Sequence, residues 1–107
     1  MGPMPETNAE TSPEIEIVRK EQRHRYEALL EGELAGFMTY RLHEGTIELV
    51  HTEIDDAFEG KGVGSVFVRD VLDEIRSDGT RRVVPSCPFV AEWIERHPDY
   101  ADLVDAA

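Results

Sequence analysis

The stretch IELVHTEIDDAFEGKGVGSVFV, residues 47–68, most constrains what this chain can fold into. A β-branched, apolar run (Ile47, Leu49, Val50, Ile54) ends in an acidic turn, Asp55-Asp56. Glycine then stands at every second position, Gly60, Gly62 and Gly64, before apolar residues recur at Val63, Val66, Phe67, Val71, Leu72 and Ile75 with helical spacing. Strand, glycine loop and helix in that order make a cradle for phosphate. Glycine lets the backbone approach a ligand closely, and a helix's first turn offers unpaired N–H groups at a positive dipole end. The plainer alternative is a turn whose glycines serve backbone freedom alone.

Upstream of this unit the pattern is one of strands. Ile15 and Ile17 alternate with Glu14 and Glu16 over 14–20, and Tyr26, Ala28 and Leu30 share one face of 23–30. Glu31-Gly32 can turn the chain straight into 33–42, ELAGFMTYRL, which has apolar residues on both faces, as a central strand covered on both sides should. His43-Glu44-Gly45 is a second tight turn, leading into 46–54. These strands predict an antiparallel meander.

Downstream, Ser77-Asp78-Gly79 stops a helix over 62–77, and Arg81–Pro85 reads as a short buried strand. Strand, crossover helix and strand form a βαβ unit, whose strands should run parallel with a right-handed connection. Pro88 suits the first position of a further helix with an apolar stripe at Phe89, Val90, Trp93 and Ile94, closed by Pro98. A last turn carries Tyr100, Leu103 and Val104. The expected class is α+β, a meander followed by a βαβ unit and short C-terminal helices. Residues 1–13, with three prolines and no apolar period, read as a disordered tail ahead of a single domain over 14–107.

Size and charge narrow the possible functions. A chain of 107 residues buries roughly two thirds of its unfolded surface without staples. The single cysteine excludes a disulfide framework and a multi-cysteine metal site. No apolar run is long enough to span a membrane, and cytoplasmic residence is the default expectation. The net charge of −12 repels a nucleic-acid backbone. It repels any anionic cofactor too, so a phosphate site must rest on backbone donors plus nearby cations such as Lys61, Arg69, Arg81 or Arg82.

Topology places the candidate chemistry. If 46–54 and 81–85 run parallel, their carboxyl ends share one edge of the sheet, where ligands of open α/β sheets bind. His51 and Glu53 near the end of the first strand, the glycine loop after it, and Cys87 just past the second should then converge on one cleft. Cys87 immediately precedes Pro88, so it can cap a helix whose dipole and free N–H groups favour a thiolate. His51 could accept its proton. The plainer readings are a buried filler cysteine, a core histidine and a solvated carboxylate at Glu53. His24, His43 and His97 look like surface or turn residues, and no pair has ligand spacing, so no metal site is expected.

GKGVGS matches neither G-x-x-x-x-G-K-[ST] nor G-x-G-x-x-G, which disfavours a nucleotide-triphosphate loop and a Rossmann site. The meander followed by EGKGVGS opening a helix instead resembles the acetyl-CoA site of the GNAT superfamily of N-acetyltransferases, whose loop reads Q/R-x-x-G-x-G/A. Here the pattern is Glu59-x-x-Gly62-x-Gly64, with glutamate in place of the usual glutamine or arginine. More narrowly, LVHTEID, FEGKGVGS and VVPSCPFVAEWIERHPDY are similar to the short, single-cysteine GNAT-like proteins with a P-x-C motif, over about 14–104.

The resemblance implies that backbone amides of Glu59, Gly60, Lys61, Gly62, Val63, Gly64 and Ser65 bind the CoA pyrophosphate. It implies that the strand around Thr52 and Ile54 pairs with the pantetheine arm, and that His51 and Cys87 form the active-site pair. It also implies a chain lacking the final strands of full-length GNAT enzymes. The expected activity is acetyl transfer from acetyl-CoA to an amine acceptor. His51 or Glu53 serves as base in direct attack, or Cys87 accepts the acetyl group first. A CoA-binding module without transfer activity, or a small interaction domain, are the competing classes.

Overall fold

A computed structural model describes residues 13–105, so the expected N-terminal tail falls, but for Pro13, outside the described residues. Strands β1 (Glu16–Lys20), β2 (Arg25–Leu30), β3 (Glu33–His43) and β4 (Thr46–Ile54) form an antiparallel meander. Helix α1 (Val63–Asp78) crosses to β5 (Arg82–Pro85), which pairs parallel with β4. The sheet order is β1-β2-β3-β4-β5. Helix α2 (Pro88–Arg96) and a 3₁₀ turn (Pro98–Leu103) complete the described chain. The α+β architecture read from the sequence is the architecture found.

Local chemistry accounts for the boundaries. Glu31 and Gly32 take positive φ in the β2–β3 turn, and Gly45 does so in the next. Gly79 ends α1 in the left-handed region, its N–H bonding the Ile75 carbonyl at 3.0 Å. Pro88 occupies the first turn of α2 behind Cys87.

Both helices pack on one face of the sheet. Tyr26, Ala28, Met38, Tyr40, Ile47, Leu49 and Val83 present that face, and Phe67, Val71, Leu72, Val90, Trp93 and Ile94 cover it in a single core. The indole N–H of Trp93 donates to Ser65 Oγ at 2.8 Å, tying α2 to α1. The outer edge of β5 is closed by the C-terminal segment. Asp105 N–H donates to the Val83 carbonyl at 2.8 Å, and Arg82 donates to the carbonyls of Asp102 and Val104.

The second face differs from expectation, since no described helix covers it. Central strand β3 turns Phe37, Thr39 and Arg41 toward it. Long polar side chains shield it instead: the Arg25 guanidinium lies 4.6 Å from the Phe37 ring centroid and donates twice to Glu27, which is buried. An antiparallel sheet tolerates one such solvated face.

Tyr26, 1% exposed, has its phenol pushed up to about 12, chiefly by burial. Burial favours the neutral form, so its contribution to stability is full below the unfolded value of 10.0 and is lost as pH rises through about 12. Urea titrations across that window are expected to show falling stability, and the fall should be shallower in Tyr26→Phe.

Candidate active site

Strands β4 and β5 part at a defined point. Their register runs Thr46↔Arg82, Ile47↔Val83, Glu48↔Val84 and Leu49↔Pro85, and stops there. Cys87 N–H donates to the Leu49 carbonyl at 2.8 Å, the last rung between them. Beyond it β4 continues to Ile54 while the other chain turns away into α2. The backbone of β4 past Val50 keeps β3 on one side and faces an opening on the other.

A β-bulge sits at the same place. Thr39 pairs with His51 and Tyr40 with Leu49, which leaves Val50 as the extra residue. The bulge changes which side chains face the helices. Before it, Ile47 and Leu49 point to the core. After it, the residues opposite Met38 and Gly36 are Thr52 and Ile54. Thr52 Oγ1 accordingly lies 3.3 Å from Cys87 Sγ, and Ile54 packs against the core. His51 and Glu53 fall on the uncovered face opposite Thr39 and Phe37; both are exposed, and the His51 ring is 6.2 Å from that of Phe37.

The expected convergence therefore takes a different form. Thr52 meets the Cys87 sulfur, while His51 and Glu53 flank the opening from the other side of the sheet. A simple two-residue alternation carried through Val50 would have put His51 beside Leu49 on the core face, and the bulge reverses that. Cys87 itself is 3% exposed and stands at the N-cap of α2, its thiol making no capping bond to the helix.

The glycine loop lies past the end of β4. Asp55 caps a 3₁₀ turn (Asp56–Phe58) by accepting from Ala57 N–H at 2.9 Å, and Glu59 to Gly62 then lead into α1. Gly60 and Gly62 have φ of 81° and 79°, a region open to glycine and strained for other residues. Gly62 is the N-cap of α1 and has no side chain to cap it, and the first helical bond runs from Val66 N–H to the Gly62 carbonyl at 3.3 Å. The N–H groups of Val63, Gly64 and Ser65 have no acceptor among the described residues. That donor set suits a phosphate oxygen.

Phe89, Trp93, His97 and Tyr100, not named as site residues from the sequence, join Gly62, Ser65 and Arg69 in building the walls. A methyl group placed on Gly64 would come within 3.0 Å of Phe89 Cζ and 3.6 Å of Ile54 Cγ1, so the Phe89 ring bridges from α2 to the first turn of α1. Between the two helices a cavity of about 440 Å³ opens beside the loop, lined by Gly62, Ser65, Arg69, Trp93, His97 and Tyr100 among others. Trp93 and His97 stack with ring centroids 3.7 Å apart. Lys61 and Arg69 are the cations on this side. Arg81 and Arg82, expected to help, lie beyond the opposite end of α1, where Arg82 is engaged with the C-terminal carbonyls. On the uncovered face a cavity of about 300 Å³ adjoins Glu53, with Leu34, Phe37, Asp55 and Asp56 on its walls.

Among the described residues no group of three or more His, Cys, Asp or Glu is placed to hold a metal ion, and no helix is long and apolar enough to cross a membrane. Comparison with known proteins gives likenesses in sequence and in structure. The sequence family described as GCN5-related N-acetyl-transferase matches residues 25–103. The solution structure of a GCN5-like candidate N-acetyltransferase from Staphylococcus aureus superposes with a TM-score of 0.64 at 24% identity, covering 86% of this chain and 89% of that one. No curated protein matches the sequence.

The Phe89 contact sets the sign of a substitution at Gly64. Gly64→Ala gains helix propensity but must push the ring by a few tenths of an ångström. Urea unfolding should show Gly64→Ala to be more favourable by about 1 kcal/mol in a Phe89→Ala background than in the wild type. Equal effects in both backgrounds would mean the ring does not cover the turn.

Proposed function

The chain belongs to the GCN5-related N-acetyltransferase family, and on that premise we propose that it transfers an acetyl group from acetyl-CoA to a primary amine. The observation that carries this reading is the parting of β4 from β5 beside an uncapped helix N-terminus. A cleft, an unpaired strand edge and a row of free N–H donors lie together. Backbone N–H groups of Val63, Gly64 and Ser65, with Lys61 nearby, would hold the pyrophosphate, and Glu59 and Gly60 shape the approach to it. The edge of β4 around Thr52 and Ile54 would bind the pantetheine amides. When bound there, acetyl-CoA supplies an acyl group activated as a thioester.

The two faces of the cleft suit two different tasks. On the uncovered face, Glu53, Asp55 and Asp56 draw in a cationic amine and the cavity beside them gives it room. His51 or Glu53 takes the proton that the amine must lose before its nitrogen attacks the acyl carbon. The new C–N bond replaces the C–S bond, and the CoA thiol leaves as the second product. On the helix face, the Thr52 hydroxyl and Cys87 thiol exchange a hydrogen bond beside the same opening. That contact favours a second route in which Cys87 carries the acetyl group between donor and amine, the Thr52 hydroxyl partnering the sulfur. The side-by-side test is direct.

Label from acetyl-CoA is expected in at least one member of a pool of primary amines and peptides. His51→Ala or Glu53→Gln should lower turnover about a hundredfold, whereas Cys87→Ala should retain it. Loss of turnover in Cys87→Ala, with an acetylated Cys87 trapped by mass spectrometry in the wild type, selects the second route. Acetyl-CoA at a hundredfold excess over its dissociation constant should stabilise the fold by about 2.7 kcal/mol. Stabilisation without any labelled amine identifies a binding module, and absence of both refutes the proposal.

A further inference from the structure

At the end of α1 away from the glycine loop, on the helix-covered face, lies a second cavity of about 360 Å³. Its lining includes Arg19 of β1, Tyr26 of β2, Glu74, Ile75 and Asp78 of α1, and Arg81 before β5. At 1.5 Å rise per residue, α1 separates it from the glycine loop by roughly 20 Å. It takes no part in the cleft described above.

The charges around this cavity do not neutralise one another. Arg19 Nε donates to the Tyr40 hydroxyl at 3.2 Å, and Arg19 has no carboxylate partner among the described residues. Arg81 Nε is buried with no hydrogen-bond partner among the described residues. Among the described residues Glu74 makes no ion pair, and Asp78 accepts only from the Thr80 hydroxyl. The two signs are also sorted by depth. Arg19 and Arg81 are half-buried, whereas Glu74 and Asp78, one helical turn apart, are exposed at the mouth. The floor is Tyr26 with Ile47 and Ile75, and the Tyr26 phenol, kept neutral by burial, is a donor.

Two guanidinium groups and a phenol inside match a planar carboxylate, since arginine binds carboxylates with paired N–H donors. Two carboxylates at the mouth match an ammonium. A ligand with both ends carries no net charge, so the acidic protein does not repel it, and the volume falls in the range of small-molecule sites. We propose that this cavity binds a free amino acid, its carboxylate held by Arg19, Arg81 and the Tyr26 hydroxyl and its ammonium by Glu74 and Asp78. The site stands apart from acetyl transfer and does not depend on it.

The test is a ¹H–¹⁵N titration of the full chain with the free L-amino acids one at a time, each beside the primary amine that lacks its carboxylate. At least one amino acid is expected to give saturable shifts at the amides of Arg19, Ile75, Asp78 and Arg81. The corresponding amine should give none. Arg81→Gln should weaken binding about tenfold while the rest of its spectrum overlays that of the wild type. If Arg81→Gln does not fold, the exposed Glu74→Gln takes its place with the same expectation. No saturable shift with any amino acid, or equal shifts from the amine, overturns the proposal.

Discussion

The molecule depends on a pair of parallel strands that are made to separate. Two prolines enforce the separation from the β5 side. Pro85 has no N–H to extend the ladder at its own position, and Pro88 has none three residues on. Between them Ser86 N–H turns back to the Val84 carbonyl at 3.0 Å, and Cys87 N–H makes the final bond to Leu49. The segment PSCP therefore ends β5, makes the last link to β4 and starts α2 within four residues. On the β4 side the bulge at Val50 bends the strand just where its parallel partner leaves. The exposed edge that results is a liability in a free sheet, where unpaired backbone groups invite association. A ligand carrying its own amides offsets that cost, which makes a peptide-like cofactor arm a better occupant than a purely apolar one.

How much of this was legible in the sequence varies by element. The meander, the βαβ unit and the glycine loop were readable because each rests on local chemistry: turn glycines, two-residue alternation, a helical apolar period, a proline at a helix start. Neighbouring strands followed from short connections, and the placement of Cys87 where β4 and β5 part followed from parallel strands sharing an edge. The bulge was not readable. Leu49-Val50 is an ordinary apolar pair, and nothing in its composition announces that one residue lacks an opposite number. Because side-chain direction in a strand has a period of two, that single residue moved His51 and Glu53 to one face and gave Thr52 to Cys87. The same limit applies to β3. Its apolar residues on both faces suggested two covering layers, while the structure shields Phe37 with Arg25 in place of a helix.

The wall residues were hidden for another reason. Phe89 and Trp93 fit an ordinary amphipathic stripe and His97 reads as a surface residue, and their positions over α1 depend on the angle between two helices, which no local pattern encodes. One clue was available: Ser65 follows the glycine loop directly, and a buried indole N–H needs an acceptor. The Trp93–Ser65 bond satisfies that need and fixes the separation of the helices at the mouth of the cavity. The serine hydroxyl is thereby committed to structure, leaving its backbone N–H as the group free for a ligand.

The electrostatics of the site follow from how few cations stand near it. With a net charge of −12 the chain opposes an anionic cofactor at long range, and Lys61 in the loop and Arg69 in the second turn of α1 are the cations that the described cavity and loop bring near it. Glu59 adds a negative charge where the family pattern has glutamine or arginine. Repulsion from scattered surface carboxylates decays over about 8 Å at physiological salt, whereas N–H donors act at contact distance and do not depend on ionic strength in the same way. Uncapped N–H groups at the start of a 16-residue helix can therefore hold a phosphate that the protein as a whole repels. If the loop holds a phosphate as proposed, the same division accounts for its glycines. When few side-chain charges are available to reach the ligand, the backbone itself has to come within bonding distance, and a Cβ at Gly62 or Gly64 would strain the turn or strike the Phe89 ring.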